Sequence, residues 1–389
     1  MSGGADVIVV GGGIVGCACA YELAKHGATV TLLEYGKTGM QATNAAAGML
    51  APLGEAHGPG PMLDFGARAL RGYPRLAEEL EAAAGFSVEL RIDGILRVAF
   101  TDEQADALER HARWQREMGF DATPLDGSAC REIEPRLSER VAGGVFSPSE
   151  GSVSNQLVAL ALERAAVAHG AHIVQRAPVT RFLRAGGRIS GVIAGGDRYQ
   201  AATVVLAAGA RSGQLAAKAG VALPVFPVRG QMIALGGMRA PIAHPVWGPD
   251  GYLVPRANGL VFAGSTVERV GFRRRTTRDG LRRIRATAAA LVPQLGAAQV
   301  RFEWAGLRPG SEDGLPIIGP VPGADGLVAA TGHFRNGILL GPLTGALVAD
   351  GIVSGRWDAA LAAFAPTRFA RGVPGEAGAT STARMPAPR

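Results

Sequence analysis

Gly11-x-Gly13-x-x-Gly16 constrains this chain more than any other feature, because of what stands on either side of it. The apolar run from Asp6 to Val10 precedes it and reads as a buried parallel strand. A helical pattern follows from Ile14 to His26 and stops at Gly27. In that setting the first glycine makes a tight turn and the second lets the backbone approach a pyrophosphate. The third allows close helix–strand packing, and the helix N-terminus faces the phosphates. Residues 28–34 form a second apolar strand ending at Glu34, 18 residues past Gly16, where a carboxylate can bind ribose hydroxyls. A glycine pattern alone carries little weight in a chain with 56 glycines. The strand, the helix and the acid together point to a dinucleotide site. No second complete fingerprint is visible, so the electrons are expected to come from an organic substrate and not from a separate nicotinamide cofactor.

Further along, helical patterns cover about 65–84 and 102–118, with a strand-like stretch at 88–100 between them. Residues 54–61, rich in Gly and Pro, read as a loop. A helix is predicted at 156–169, strands at 171–175, 179–183 and 203–207, and β-rich alternation from 225 to 304, with one basic amphipathic helix near 277–292. Residues 300–304 read as a strand leading into a tight turn at Arg308-Pro309-Gly310. A last strand at 327–331 turns at Gly332 into a helix at about 337–354. The nucleotide-type pieces are scattered, which predicts an α/β fold. A discontinuous Rossmann-like domain (1–55, 150–222 and 305–368) accompanies an α+β substrate domain with a mainly antiparallel sheet (56–149 and 223–304). The tail, 372–389, is expected to be disordered.

At 389 residues the chain is long enough for two cores, and 47% hydrophobic with 19% charged residues is a globular composition. Only three of the 40 basic residues are lysines, so the +7 net charge reads as a composition bias toward arginine and not as a nucleic-acid surface. The run Arg273-Arg274-Arg275, with Arg278, Arg282, Arg283 and Arg285, is read as the solvated face of a helix whose Ile284 and Leu291 point inward, since no aromatics interleave to stack bases. Cys17, Cys19 and Cys130 form no disulfide framework and are expected to be buried; no metal site is expected. Met1 to Asp6 has no basic leader region. The longest apolar stretch, Ile338 to Val353, is interrupted by Pro342 and Asp350 and is read as too short to span a bilayer. A cytoplasmic protein with no nucleic-acid or membrane partner is expected, with a homo-oligomer left open.

Three stretches carry a family resemblance: Thr43-Asn44-Ala45-Ala46-Ala47-Gly48-Met49-Leu50, Trp304-Ala305-Gly306-Leu307-Arg308-Pro309-Gly310, and Gly332-His333-Phe334-Arg335-Asn336-Gly337-Ile338-Leu339-Leu340. From about residue 5 to 368 the chain resembles the D-amino-acid oxidase superfamily, and within it is most similar to the glycine oxidases of thiamine biosynthesis. The resemblance implies noncovalent FAD, lined by Gly11, Gly13, Gly16, Ile14, Val15, Glu34, Tyr35, Ala42, Thr43, Ala47, Gly48 and Met49. Val179 would touch the adenine end, Gly209 would close the nucleotide pocket, and His333, Phe334, Arg335, Asn336, Gly337, Ile338 and Leu339 would run along the isoalloxazine. Tyr252, Arg308 and Arg335 match substrate-binding positions, and Met49 would border the substrate. The chain departs from the family at Asn44, where Ser is frequent, and at Arg211, where an aromatic is frequent. From pattern alone Tyr252 is as readily a core aromatic as a site residue.

The chemistry implied is hydride transfer from the Cα of glycine or another small D-amino acid to flavin N5, with O2 reoxidation giving H2O2. No side chain need act as acid or base if the amine enters neutral; the site must position the substrate. A planar arginine fork suits a carboxylate, and a helix starting at Gly337 would aim its positive end at the flavin edge that becomes negative on reduction. Two other readings remain: a sarcosine or D-amino-acid dehydrogenase of the same fold using another acceptor, and a tRNA-modifying flavoprotein.

Overall fold

The computed structural model of the protein describes residues 4–237 and 242–370; the tail expected to be disordered lies outside them. Two eight-stranded sheets organise the chain. In the first, strand Ala5–Val10 lies between Asp197–Leu206 and Val30–Leu33, parallel to both, with Leu327–Thr331 and His172–Val174 continuing the parallel set outward. Covered on both faces, Val7 to Val10 are all buried, which is why this strand reads as an unbroken apolar run. Strand Ile317–Pro320 adds an antiparallel edge, and Val179–Ala185 and Arg188–Ala194 extend Asp197–Leu206 as an antiparallel flap.

The second sheet is antiparallel apart from the pairing of Val246–Gly248 with Ile95–Ala99. Its longest pair joins Val225–Gly236 to Gln299–Ser311 with Val228 opposite Arg308. This corrects one expectation: Arg308-Pro309-Gly310 is no turn but the interior of a 13-residue strand, which also runs through the expected domain boundary at 304/305. Of residues 88–100 only Ile95–Ala99 is a strand, and the expected loop at 54–61 begins inside a helical turn, Pro52–Glu55.

The helices sit where their apolar faces find cover. Helix Ile14–Lys25 is buried nearly all round, since it is wedged between the first sheet and helix Gly337–Ser354. The two helices approach closely because Gly345 faces Ala18, where any Cβ would come within 2.5 Å of backbone. Helix Gly337–Ser354 is long and apolar enough to match a bilayer span by composition, with mean hydropathy 1.6, yet much of it faces protein. Pro342 does not interrupt it. Proline has no N–H to offer the carbonyl four residues back, and the Tyr73 hydroxyl takes that place, donating to the Ile338 carbonyl at 3.1 Å. Tyr73 comes from helix Pro61–Ala84, which was expected in the substrate domain but buries Phe65, Ala69, Tyr73 and Leu80 in the same core as the first sheet.

The three cysteines are free and buried. Burial pushes the Cys19 thiol up to about 12 and that of Cys130 to about 11, so both are inert thiols. The basic helix is Arg278–Leu291, with Ile284 and Leu291 inward and Arg282 and Arg283 solvated beside Asp279. Arg273–Arg275 precede it and are not part of that face. Arg285 is also turned inward, donating to the carbonyls of Gly296 and Ala298.

Candidate functional site

The glycine fingerprint builds one end of a cavity of about 550 Å³. Gly11 has φ +108°, and a Cβ there would meet the Ala207 carbonyl at 2.5 Å; a Cβ on Gly16 would stand 1.8 Å from the Gly11 carbonyl. Both positions are closed to a side chain by neighbouring backbone. Gly13 differs: its Cβ would meet only Thr43 Oγ1, at 3.3 Å, so its bare backbone borders open space. Glu34, buried, accepts from the Gly12 N–H at 2.7 Å and the Gly36 N–H at 2.8 Å. Thr43 Oγ1 accepts from the Ile14 N–H at 3.0 Å. Among the described residues the N–H groups of Gly13 and Val15, both lining the cavity, have no acceptor in the protein. Orphan donors at the start of a 12-residue helix, beside a glycine that a side chain would obstruct, fit a phosphate of a dinucleotide.

The other end is built on the second sheet, and three glycines shape it. Rows of directly opposed residues share a face, so Arg308, Gly230, Gly306, Met232 and Gly264 lie on one side of the sheet. The Arg308 guanidinium lies across Gly230, where a Cβ would come 2.2 Å from Nη1. Gly306 makes room for Ala45 of the short Ala42–Ala45 helix. Gly264 stands between Met232 and Tyr252, whose side chains meet over it, the Tyr252 hydroxyl 3.3 Å from Met232 Sδ.

Arg308 is anchored at its tip, Nη1 donating to the Thr266 carbonyl at 3.1 Å and Nη2 to Ser265 Oγ at 2.6 Å. The anchoring segment is itself tied down. Arg229, on the opposite face, donates to both Glu268 oxygens at 2.9 and 3.0 Å, and Thr266 Oγ1 donates to the same carboxylate at 2.8 Å. Those bonds hold Glu268 down near 2 although burial pushes the other way. Burial pulls the Arg308 guanidinium below its usual value; Tyr252 opposes that and the neighbouring Arg335 charge adds to it. Arg335 Nε donates to Glu55 Oε1 at 2.7 Å, and its guanidinium lies 5.2 Å from the Trp247 ring centroid. Glu55 keeps Arg335 above its usual value against burial. This end of the cavity therefore holds two guanidinium groups and, among the described residues, a single carboxylate, Glu55. An incoming anion would restore the balance.

His333 is buried, its Nε2 2.9 Å from Thr344 Oγ1, and burial lowers it to about 4, so the imidazole is neutral. Phe334 has φ +47° and donates its N–H to the Pro309 carbonyl at 3.0 Å, fastening the entry to helix Gly337–Ser354 against the Arg308 strand.

All the residues assigned to the site from the sequence line this cavity except two. Gly16 packs beneath it against Gly11. Leu339 is a correction: it is buried in the core and faces helix Pro61–Ala84 near Gly66, not the cavity. Sequence reasoning missed Glu55, whose Gly/Pro-rich surroundings carry no site signal, and Gly230, Ser265 and Thr266, which matter only through the register of strands distant in sequence. It also missed Phe272 and Arg274, which line the cavity.

A family profile described as FAD dependent oxidoreductase (DAO) matches residues 6–351. The chain is 37% identical over 368 residues to the glycine oxidase of Geobacillus kaustophilus, covering 93% of this chain and 97% of that protein. Over 370 residues it is 35% identical to the bifunctional protein ThiO/ThiG of Synechocystis sp.; 94% of this chain is covered, against 54% of that longer protein. The crystal structure of the Geobacillus kaustophilus glycine oxidase matches this fold with a TM-score of 0.90 at 36% identity, over 94% of this chain and 99% of that one. On the glycine cradle and these relationships together, the chain belongs to the FAD-dependent oxidoreductase family that includes the glycine oxidases, and FAD is its cofactor.

Proposed function

We propose that the protein oxidises glycine and other small amino acids to the imino acid, with O2 as the final acceptor: glycine, O2 and water give glyoxylate, ammonia and hydrogen peroxide. The observation that carries this reading is Arg308, a guanidinium that among the described residues has no carboxylate ion-pair partner, pinned by Ser265 and Thr266 at the far end of a cavity that starts on the glycine cradle. Bound FAD supplies the hydride acceptor. The protein's own part is placement. Arg308 receives the substrate carboxylate through its planar fork, and the Tyr252 hydroxyl, beside that guanidinium and 3.3 Å from Met232 Sδ, is placed to donate to the same group. Arg335, already bound to Glu55 and stacked on Trp247, borders the pocket as a charge that favours anions. His333 is neutral and hydrogen-bonded to Thr344, so it is assigned to packing against the cofactor and not to proton transfer. Met49, on the two-residue strand paired with Gly151–Ser152, limits the space left for a substrate side chain. The similarity to glycine oxidases, and to a protein named ThiO/ThiG, supports glycine as the substrate and the thiamine role that the sequence resemblance implies.

The test is anaerobic mixing of the yellow protein with glycine, sarcosine, D-alanine, D-proline and L-alanine. Glycine should bleach the flavin fastest, and admitting O2 should restore the colour with one H2O2 per turnover. Bleaching by glycine with no recovery in O2 would replace the oxidase with a dehydrogenase. No bleaching by any of the five would refute the amino-acid reading.

A further inference from the structure

The nucleotide end of the cavity carries more positive charge than the protein neutralises. Arg211, Lys218 and Arg274 line the cavity together with Tyr35. Among the described residues, none of the three forms an ion pair with a carboxylate. Glu34, the acid at this end, already accepts two backbone N–H groups.

Arg211 ends the 3-10 turn Gly209–Arg211 that follows strand Asp197–Leu206. Its guanidinium carbon lies 5.0 Å from the Tyr35 ring centroid and 5.1 Å from that of Phe272. The two rings hold the planar group in place through cation–π contacts, and among the described residues its N–H edge meets no carboxylate. Phe272 belongs to the segment between strand Val261–Gly264 and helix Arg278–Leu291, so it comes from the second sheet. That segment is tied down a second time where Arg274 Nη1 donates to Gln41 Oε1 at 2.7 Å. A strap from the substrate side is thus fastened across the nucleotide end.

We infer that Arg211, held between Tyr35 and Phe272, binds the phosphate charge of the ADP half of FAD and governs how firmly the cofactor is retained, without acting on the amino-acid substrate. The inference rests on FAD occupying this cavity. Lys218 and Arg274 add to the field; Arg211 is the group whose position is set by stacking.

The experiment measures the FAD dissociation constant of the full-length protein by the gain in flavin fluorescence on dilution, at rising salt. Arg211→Ala should weaken retention roughly tenfold to a hundredfold, the effect of losing a charge-assisted contact. It should also flatten the dependence on salt. Phe272→Ala keeps the charge and loosens its placement, so it should weaken retention by a smaller factor, about two- to fivefold. With FAD saturating, kcat for glycine should stay within about twofold of the parent in both. An Arg211→Ala protein that holds FAD as the parent does, or one that loses kcat while retaining FAD, overturns the inference. Parent protein that carries no FAD would instead overturn the placement of the cofactor itself.

Discussion

Gly230→Ala adds one methyl group to the second sheet, and the structure sets where it must go. Its Cβ would stand 2.2 Å from Arg308 Nη1, 2.3 Å from Nη2 and 2.4 Å from Cζ. Heavy atoms of this kind rest about 3.5 Å apart, so the guanidinium has to move by roughly 1 Å. That movement breaks its bonds to Ser265 Oγ and the Thr266 carbonyl and misaligns the fork that would meet the substrate carboxylate. A charge-assisted contact contributes about 1.5–3 kcal/mol. At about 1.4 kcal/mol per tenfold, kcat/KM for glycine should fall roughly 10- to 150-fold. Steady-state oxygen uptake measures it, with FAD content and thermal melting as controls on folding. Arg308→Lys should lose a comparable amount, since it keeps the charge without the two-point geometry. In an Arg308→Ala background the Gly230 substitution should add almost nothing, because the two changes act through one group. Gly230→Ala protein that keeps its FAD and a parental kcat/KM for glycine would show that Arg308 does not clamp the carboxylate from this position.

Tyr73→Phe removes the hydroxyl that donates to the Ile338 carbonyl, which Pro342 leaves without its helical partner; a buried acceptor deprived of this bond should lower stability by about 1–3 kcal/mol in chemical denaturation, and an unchanged midpoint would contradict this account of the proline. Glu150 is pushed up to about 7 by burial, against an ordinary 4.5 and despite Arg97. Folding therefore favours its protonated form: the stability linked to it is complete below about pH 4.5 and is lost as pH rises through about 7. Glu150→Gln keeps an acceptor for the Leu53 N–H, which Glu150 Oε1 now meets at 2.7 Å. The variant should therefore lose less melting temperature than the parent across that window, and parallel profiles would refute the titration. Gly13→Val fills the open face of the phosphate cradle and should give folded protein without colour; a fully yellow variant would mean that the cofactor lies elsewhere.

Local rules were enough for the nucleotide half. The fingerprint, the apolar strand before it and Glu34 after it are neighbours in sequence, and glycine at 16 is required by the Gly11 carbonyl five residues away, although glycine at 11 is also closed by the distant Ala207 carbonyl. Strand and helix periodicity likewise located helices Asn155–Ala168, Arg278–Leu291 and Gly337–Ser354 to within a residue or two. Arg308 and Arg335 were legible only through the family motifs around them, since nothing in their spacing sets them apart among so many arginines. What the chain did not reveal is what depends on register. Arg308 was read as sitting in a turn because Pro309 and Gly310 are turn residues, yet twelve pairings with Val225–Gly236 hold that stretch as a strand. Gly230 looks like any other glycine until strand pairing sets Arg308 across it. Glu55 and Phe272 sit in segments with no periodicity, and they reach Arg335 and Arg211 only when the two sheets are brought together. Tertiary structure decides these contacts because each joins residues far apart in the chain, and no local preference encodes such a meeting.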